Sequence, residues 1–256
     1  MSISPSATGR LPTITSPSVG WTEGPAAPEF DAGAVHVWRA NLTLVGDGPL
    51  ELLSAAESER AAGMLRGDDR LMWSRSRGVL RALLGRYVGQ EASAVALAYG
   101  AHGKPIPAET DRRLFFNLSH SCNLALYAFT ATGPVGVDVQ VARRRKGGAR
   151  TDYVALARRA LGDDAARRLA ELSTDSREEE FLRLWTRHEA ELKRRGLGIG
   201  GATQAHPGAP VTGSSAVAVA PHASPWIVEL DVGPRAAAAL ALRSRAAEPQ
   251  RWRYAS

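Results

Sequence analysis

The chain has 256 residues, 44% of them apolar and 23% charged, enough to bury a core as one large domain or two small ones. Its 32 Lys and Arg outnumber 26 Asp and Glu, a formal net charge of +6, which favours an acidic partner: phosphates, an acidic protein or a nucleic acid. A single cysteine, Cys122, excludes an internal disulfide and a thiolate metal cluster and fits a reducing cytoplasm; no apolar run reaches the length of a membrane span, and the start lacks the pattern of a signal peptide.

Residues 1–32 are rich in Ser, Pro, Thr and Gly without hydrophobic periodicity, and read as a disordered leader. Val35 to Leu42, VHVWRANL, reads as a strand. Leu50 to Leu65 carries a helix opened by a capping box of Ser54 and Glu57. Asp68 to Val88 is the strongest helix of the first half, with Met72, Val79, Leu80, Leu83, Leu84, Tyr87 and Val88 at helical spacing. Arg70, Arg75, Arg77, Arg81 and Arg86 decorate the rest and read as a solvated face. Tyr99 to Pro105 is a loop in which glycines flank Lys104, a shape that lets backbone approach an anion.

Phe115 to Gln140 follows, reading as two strands and a turn at Thr132-Gly133-Pro134. Two polar clusters interrupt its apolar pattern: Asn117, Ser119, His120 and Ser121, then Asp138 and Gln140. Beyond it, the basic run Arg143 to Lys146 reads as a mobile loop, and Tyr153 to Leu161 and Ala165 to Leu172 as helices. Ser176 and Glu179 read as a second capping box, opening a helix that runs to Arg195 and stops at Gly196. Residues 200–225 read as a loop, and Trp226 to Val232 with Ala236 to Leu242 as a closing strand pair. Each half thus runs strand, helices, strand pair. The expected division is an N-terminal lobe over 33–134, a C-terminal lobe over 135–248 and a tail over 249–256.

Asp138 and Gln140 are two apart on a strand and project together. A carboxylate in an apolar strand is costly without a cationic partner, and a hard metal ion with oxygen ligands would serve. On the long helix, Phe181, Trp185, His188 and Leu192 form the centre of one face. Glu189 falls on its margin, with Lys193 one turn on. A surface salt bridge is the plain reading of that pair, and a satisfied core residue the plain reading of His188. Together, Asp138, Gln140 and Glu189 offer oxygen ligands; Lys104, His120 and Lys193 offer cationic or hydrogen-bonding groups. Oxygen ligands without thiolate suit magnesium, which commonly shares its sphere with substrate phosphates.

The motifs HGKP (102–105), FNLSHS (116–121), GVDVQ (136–140) and WTRHEAELK (185–193) resemble, in order and spacing, those of the two-lobed, Sfp-like 4′-phosphopantetheinyl transferases. The resemblance implies an α/β fold, a pseudo-dimer of two similar lobes, each a small sheet packed on helices, with the active site at their interface. It implies transfer of the phosphopantetheine arm of coenzyme A to a serine of an acyl or peptidyl carrier protein, with release of adenosine 3′,5′-bisphosphate. By resemblance, Asp138, Gln140 and Glu189 would bind Mg2+, Glu189 would also activate the serine, and Lys193 would act on the leaving phosphate. Lys104, Pro105, Ser119, His120 and Arg77 would contact coenzyme A. A cytoplasmic monomer that binds neither nucleic acid nor membrane is implied.

Two positions depart from the family pattern: Gln140 stands where many relatives have Glu, and His188 where the family has Lys. Two competing readings follow from the sequence. One is a non-catalytic homologue that binds coenzyme A or a carrier protein. The other is a basic nucleic-acid-binding protein, which explains the charge but neither GVDVQ nor WTRHEAELK.

Overall fold

The computed structural model describes residues 20–99, 104–108, 113–142, 151–197 and 225–255. In chain order these form β1 (Thr22–Glu23), β2 (Val35–Asn41), α1 (Ala55–Ala62), α2 (Gly67–Val88), β3 (Leu97–Tyr99), β4 (Pro105–Pro107), β5 (Phe115–Ser121), β6 (Leu124–Thr130), β7 (Gly136–Val141), α3 (Tyr153–Leu161), α4 (Asp163–Ala170), α5 (Arg177–Arg195), β8 (Trp226–Glu229), β9 (Ala236–Leu242) and β10 (Gln250–Arg253). The expected mixed α/β class is what this order gives.

Every residue of β6 is buried, which requires a strand inside a sheet covered on both faces. It lies between β2 and β5, antiparallel to both, in a sheet ordered β1-β10-β2-β6-β5. One face of that sheet presents Trp38, Ala40, Ala125, Tyr127 and Phe129 to Val79, Leu80, Leu83 and Leu84 of α2. The other presents Val35, Val37, Leu124, Leu126 and Ala128 to Val137, Val139, Leu240 and Leu242 of a second sheet, ordered β7-β9-β8. The outer side of the second sheet carries α5, where Ala190 packs on Ala239 and Ala241. The layers therefore run α2, large sheet, small sheet, α5.

Small residues let α5 lie close to its sheet. A Cβ at Gly136 would fall 1.9 Å from the Ala190 carbonyl oxygen and 2.4 Å from the Arg194 nitrogen. Backbone meets backbone there, and only glycine fits. This contact fixes the height of α5 along β7.

The structure corrects several expectations. Phe115 to Gln140 contains three strands, not two: the dipeptide Cys122-Asn123 turns β5 into β6, with Cys122 at φ 55. The chain before Val35 is not wholly a leader, because Trp21 is buried, its indole donates to the Asp231 carbonyl at 2.7 Å, and β1 pairs with β10. Residues 249–256 are not merely a tail, since β10 runs parallel to β2 and Trp252 packs on Trp38. A local reading misses both segments because a parallel partner lies far away in sequence. The Ser54–Glu57 capping box forms. The one at Ser176 does not; Ser176 holds a helical φ, ψ and its hydroxyl meets Ser173 instead. The basic run 143–146, residues 102 and 103, and 200–224 lie outside the described residues.

Of the five α2 arginines only Arg70 is exposed as a solvated face would be; Arg75, Arg77, Arg81 and Arg86 are not. Arg81 is buried and donates to Glu57 at 2.6 Å, tying α2 to the α1 cap. Arg75 reaches the Leu42 carbonyl and Asp47, Arg77 covers the Trp73 ring, and Arg86 covers Trp38 and Tyr254. Guanidinium groups can line a core boundary in this way because they stack on aromatic faces while bonding at their rims.

His36 is fully buried, stacked on Phe30, with Nδ1 2.9 Å from the Tyr87 hydroxyl that also accepts from Trp38 Nε1. Burial pulls its pKa down to about 4, against a smaller upward pull from Asp31. Below its usual pKa of 6.5 the unfolded chain takes up a proton that the folded chain refuses. Stability is therefore lost as pH falls from 6.5 toward 4. In His36→Gln, which can still accept from Tyr87 but does not titrate, that loss should shrink by about 2 kcal/mol. Urea denaturation at pH 7 and pH 4.5 measures it; equal losses in both proteins would contradict the assignment.

Candidate active site

β7 is the edge of the small sheet, so alternate N–H groups point away from its partner β9. They are buried and need acceptors. β5 supplies them from side chains. Asn117 Oδ1 accepts from the Val137 N–H at 2.8 Å, Ser119 Oγ from Val139 at 3.3 Å, and Ser121 Oγ from Val141 at 3.1 Å. The spacing of two on both strands makes the match possible: residues 117, 119 and 121 share one face of β5. The polar cluster seen in the sequence is thus a seam that docks one sheet on the other.

The middle rung carries the chemistry. Ser119 Oγ donates to Asp138 Oδ1 at 2.8 Å and accepts from Lys193 Nζ at 2.9 Å. Lys193 Nζ also reaches Asp138 Oδ1 at 2.6 Å, an ion pair whose carboxylate is 2% exposed. With the Val139 amide counted, the Ser119 hydroxyl makes one donation and two acceptances, its full capacity. Gln140 Nε2 faces Asp138 Oδ2 at 3.4 Å. So β5, β7 and α5 meet at one carboxylate.

Glu189 completes the group from one turn earlier on α5. It is buried, and its Oε1 has no hydrogen-bond partner among the described residues. Burial raises its pKa above the usual 4.5, the Asp138 charge raises it further, and Lys193 opposes both. The expected margin position is corrected here: Thr186, Glu189 and Ala190 are buried on α5, whereas Trp185, His188 and Leu192 are half-buried. Nor does Lys193 pair with Glu189 as the i,i+4 spacing suggests; its ammonium goes to Asp138. Tertiary geometry outweighs a local pair that is worth little by itself.

Other sequence-predicted residues are dispersed. His120 lies on the opposite face of β5 from Ser119, by strand alternation, on the side covered by α2 and Arg77. Lys104 donates to the carbonyl oxygens of Lys193 at 2.9 Å and Val135 at 3.1 Å. Burial, then the charges of Lys193 and Arg194, pull its pKa down to about 8. Pro105 is buried at the start of β4. The His188 ring stands 6.2 Å from that of Trp185. Sequence reasoning gave Asn117, Ser121 and Gly136 no task; the two-residue polar spacing of FNLSHS was the signal for the first two.

Among the described residues no three His, Cys, Asp or Glu side chains are grouped to hold a metal ion. Two carboxylates, Asp138 and Glu189, and the Gln140 amide are the donors present. They are oxygen donors, and the unpartnered Glu189 Oε1 is an atom a cation would satisfy. Such a set fits a hard divalent ion that keeps water or substrate oxygens in its sphere.

Residues 134–242 match the profile of the 4′-phosphopantetheinyl transferase superfamily. Most of the chain is similar to the 4′-phosphopantetheinyl transferase HetI of Nostoc sp., at 31% identity over 239 residues, 91% of this chain and 98% of that protein. The chain belongs to the 4′-phosphopantetheinyl transferase superfamily. It is also 38% identical over 100 residues to the 4′-phosphopantetheinyl transferase AcpT of Escherichia coli, 39% of this chain and 48% of that protein. The superfamily profile spans β7, α5 and β9, so in this transferase it contains Asp138, Glu189 and Lys193 but not the β5 rungs. No helix among the described residues is long and apolar enough to cross a membrane.

The seam makes a prediction. Asn117→Ala strands the buried Val137 N–H and should cost about 1–3 kcal/mol in urea denaturation. Ser119→Ala strands the Val139 N–H and loosens Asp138 and Lys193 as well, and should cost at least as much. A change below about 0.5 kcal/mol in both, the level of an ordinary surface substitution, would contradict the seam.

Proposed function

We propose that this transferase moves the phosphopantetheine arm of coenzyme A onto a serine hydroxyl of an acyl or peptidyl carrier protein, with Mg2+ as cofactor. The observation that carries the reading is the convergence of Asp138, Glu189 and Lys193 beside Ser119, within the region of the superfamily match. A new bond forms between the serine oxygen and the phosphorus of the pantetheine phosphate. The pyrophosphate P–O bond breaks, and adenosine 3′,5′-bisphosphate leaves with the electron pair.

Glu189 takes the serine proton. Lys193 supplies positive charge to the leaving phosphate from a side chain aimed by Ser119 and Asp138. Bound Mg2+, held by Asp138, Glu189 and the Gln140 carbonyl, would neutralise the pyrophosphate oxygens. Reactions at phosphorus depend chiefly on position and charge neutralisation, which these residues provide. His120 and Arg77, on the α2 side of β5, are assigned to the phosphates of coenzyme A. The net positive charge of the chain would steer an acidic carrier.

Intact-protein mass spectrometry of an apo carrier protein incubated with the chain, coenzyme A and magnesium tests the reading. The expected result is a gain of one phosphopantetheine arm, lost with EDTA and reduced at least about 10²-fold in Glu189→Gln. Activity should fall as the pH drops into the carboxylate range, because a protonated Glu189 carboxyl cannot accept the serine proton. Bound coenzyme A with no mass gain on any acyl or peptidyl carrier would reject the reading in favour of a binding homologue.

A further inference from the structure

We propose that Lys104 is a positioning residue of the transfer reaction: its ammonium ties the last turn of α5 to the entry of β7 and so holds Glu189 and Lys193 in line with Asp138. The inference rests on the functional reading of those three residues given above.

Lys104 belongs to the GKP segment, whose lysine was expected to hold a phosphate. Among the described residues its hydrogen bonds go to protein carbonyls, those of Lys193 at 2.9 Å and Val135 at 3.1 Å. The first is exposed by the ending of α5: Gly196, at φ 75, closes the helix, and its N–H shares the Lys193 carbonyl. A cation at a helix C-terminus is favourable in charge as well as in hydrogen bonding. The second carbonyl stands immediately before Gly136, the residue whose backbone lies against Ala190 and Arg194. Lys104 therefore clasps α5 to β7 at the place where the two touch without a side chain between them.

Lys193 is held at both ends as a result. Its carbonyl is bonded by Lys104, and its ammonium is bonded by Ser119 and Asp138. A slip of α5 by one residue, about 1.5 Å, would break both attachments and shift Glu189 equally. Displacements of about 1 Å in a reacting group can cost about 10²-fold in rate.

Steady-state kinetics of Lys104→Met and Lys104→Arg with coenzyme A, magnesium and an apo carrier protein test the clasp. In Lys104→Met, kcat should fall about 10- to 100-fold while KM for coenzyme A stays within about two-fold. Lys104→Arg, which can still donate to carbonyls, should recover most of kcat. Lys104→Gln, able to serve one carbonyl, should lie between them. A rise in KM for coenzyme A with kcat preserved would overturn the proposal and make Lys104 a ligand contact; so would an unchanged kcat. A second readout needs no substrate: amide exchange at Gly196 and Leu197 should quicken about ten-fold or more in Lys104→Met, reporting a loosened last turn. Unchanged exchange there would overturn the clasp. A wild-type chain inactive on every carrier, with exchange quickened in the variant, would remove the functional reading and leave the clasp standing.

Discussion

The arrangement depends on how a buried sheet edge is satisfied. β7 pairs with β9 on one side and, among the described residues, has no strand on the other. Its outward N–H groups are buried in the interior and need acceptors. Three short polar side chains of β5 take the place of a strand. Such a seam joins two sheets without merging them, and it specifies register. A shift of β7 by one residue would turn the valines away from the shared core and leave the three acceptors opposite the wrong backbone groups.

The same seam sets the chemistry. Ser119 is a structural acceptor for Val139 and an orienting contact for Asp138 and Lys193. The carboxylate is thus fixed by the device that docks the sheets, and the lysine by the carboxylate. α5 is stapled elsewhere too. Arg183 and Arg187 both reach Glu229 on β8, and Glu180 binds Arg168 of α4. Glu189 sits on a helix held at both ends, with an oxygen that no group among the described residues answers. A buried carboxylate in that condition is either a liability or a place kept for a ligand.

Much of this was legible in the sequence. Hydrophobic pattern gave α2, β2 and the β8–β9 pair close to their observed limits, and the stop at Gly196 gave the end of α5. Asp138 and Gln140 stood out as polar groups in an apolar strand, and Glu189 and Lys193 as a pair on the margin of a helix face; the structure brings the four to one place. What escaped was non-local. β1 and β10 are short strands paired in parallel with partners far away in the chain, and nothing in their own composition announces it. Arg75, Arg81 and Arg86 read as surface groups because their carboxylate and aromatic partners come from outside α2. Lys104 lay in a loop that looks made for an anion, and its carbonyl partners lie 31 and 89 residues away. The two-residue polar spacing of β5 was visible, but its meaning required knowing that β7 would arrive as an edge.

Residue-resolved amide hydrogen exchange of the ligand-free protein tests the central claim most directly. If the β5 side chains complete the edge of β7, Val137, Val139 and Val141 exchange as slowly as Asp138 and Gln140, whose pairing is with β9, and Val139 alone of the three is strongly released in Ser119→Ala. Fast exchange at all three valines beside slow exchange at Asp138 and Gln140 would mean an open edge, and the account of how this site is held would be wrong.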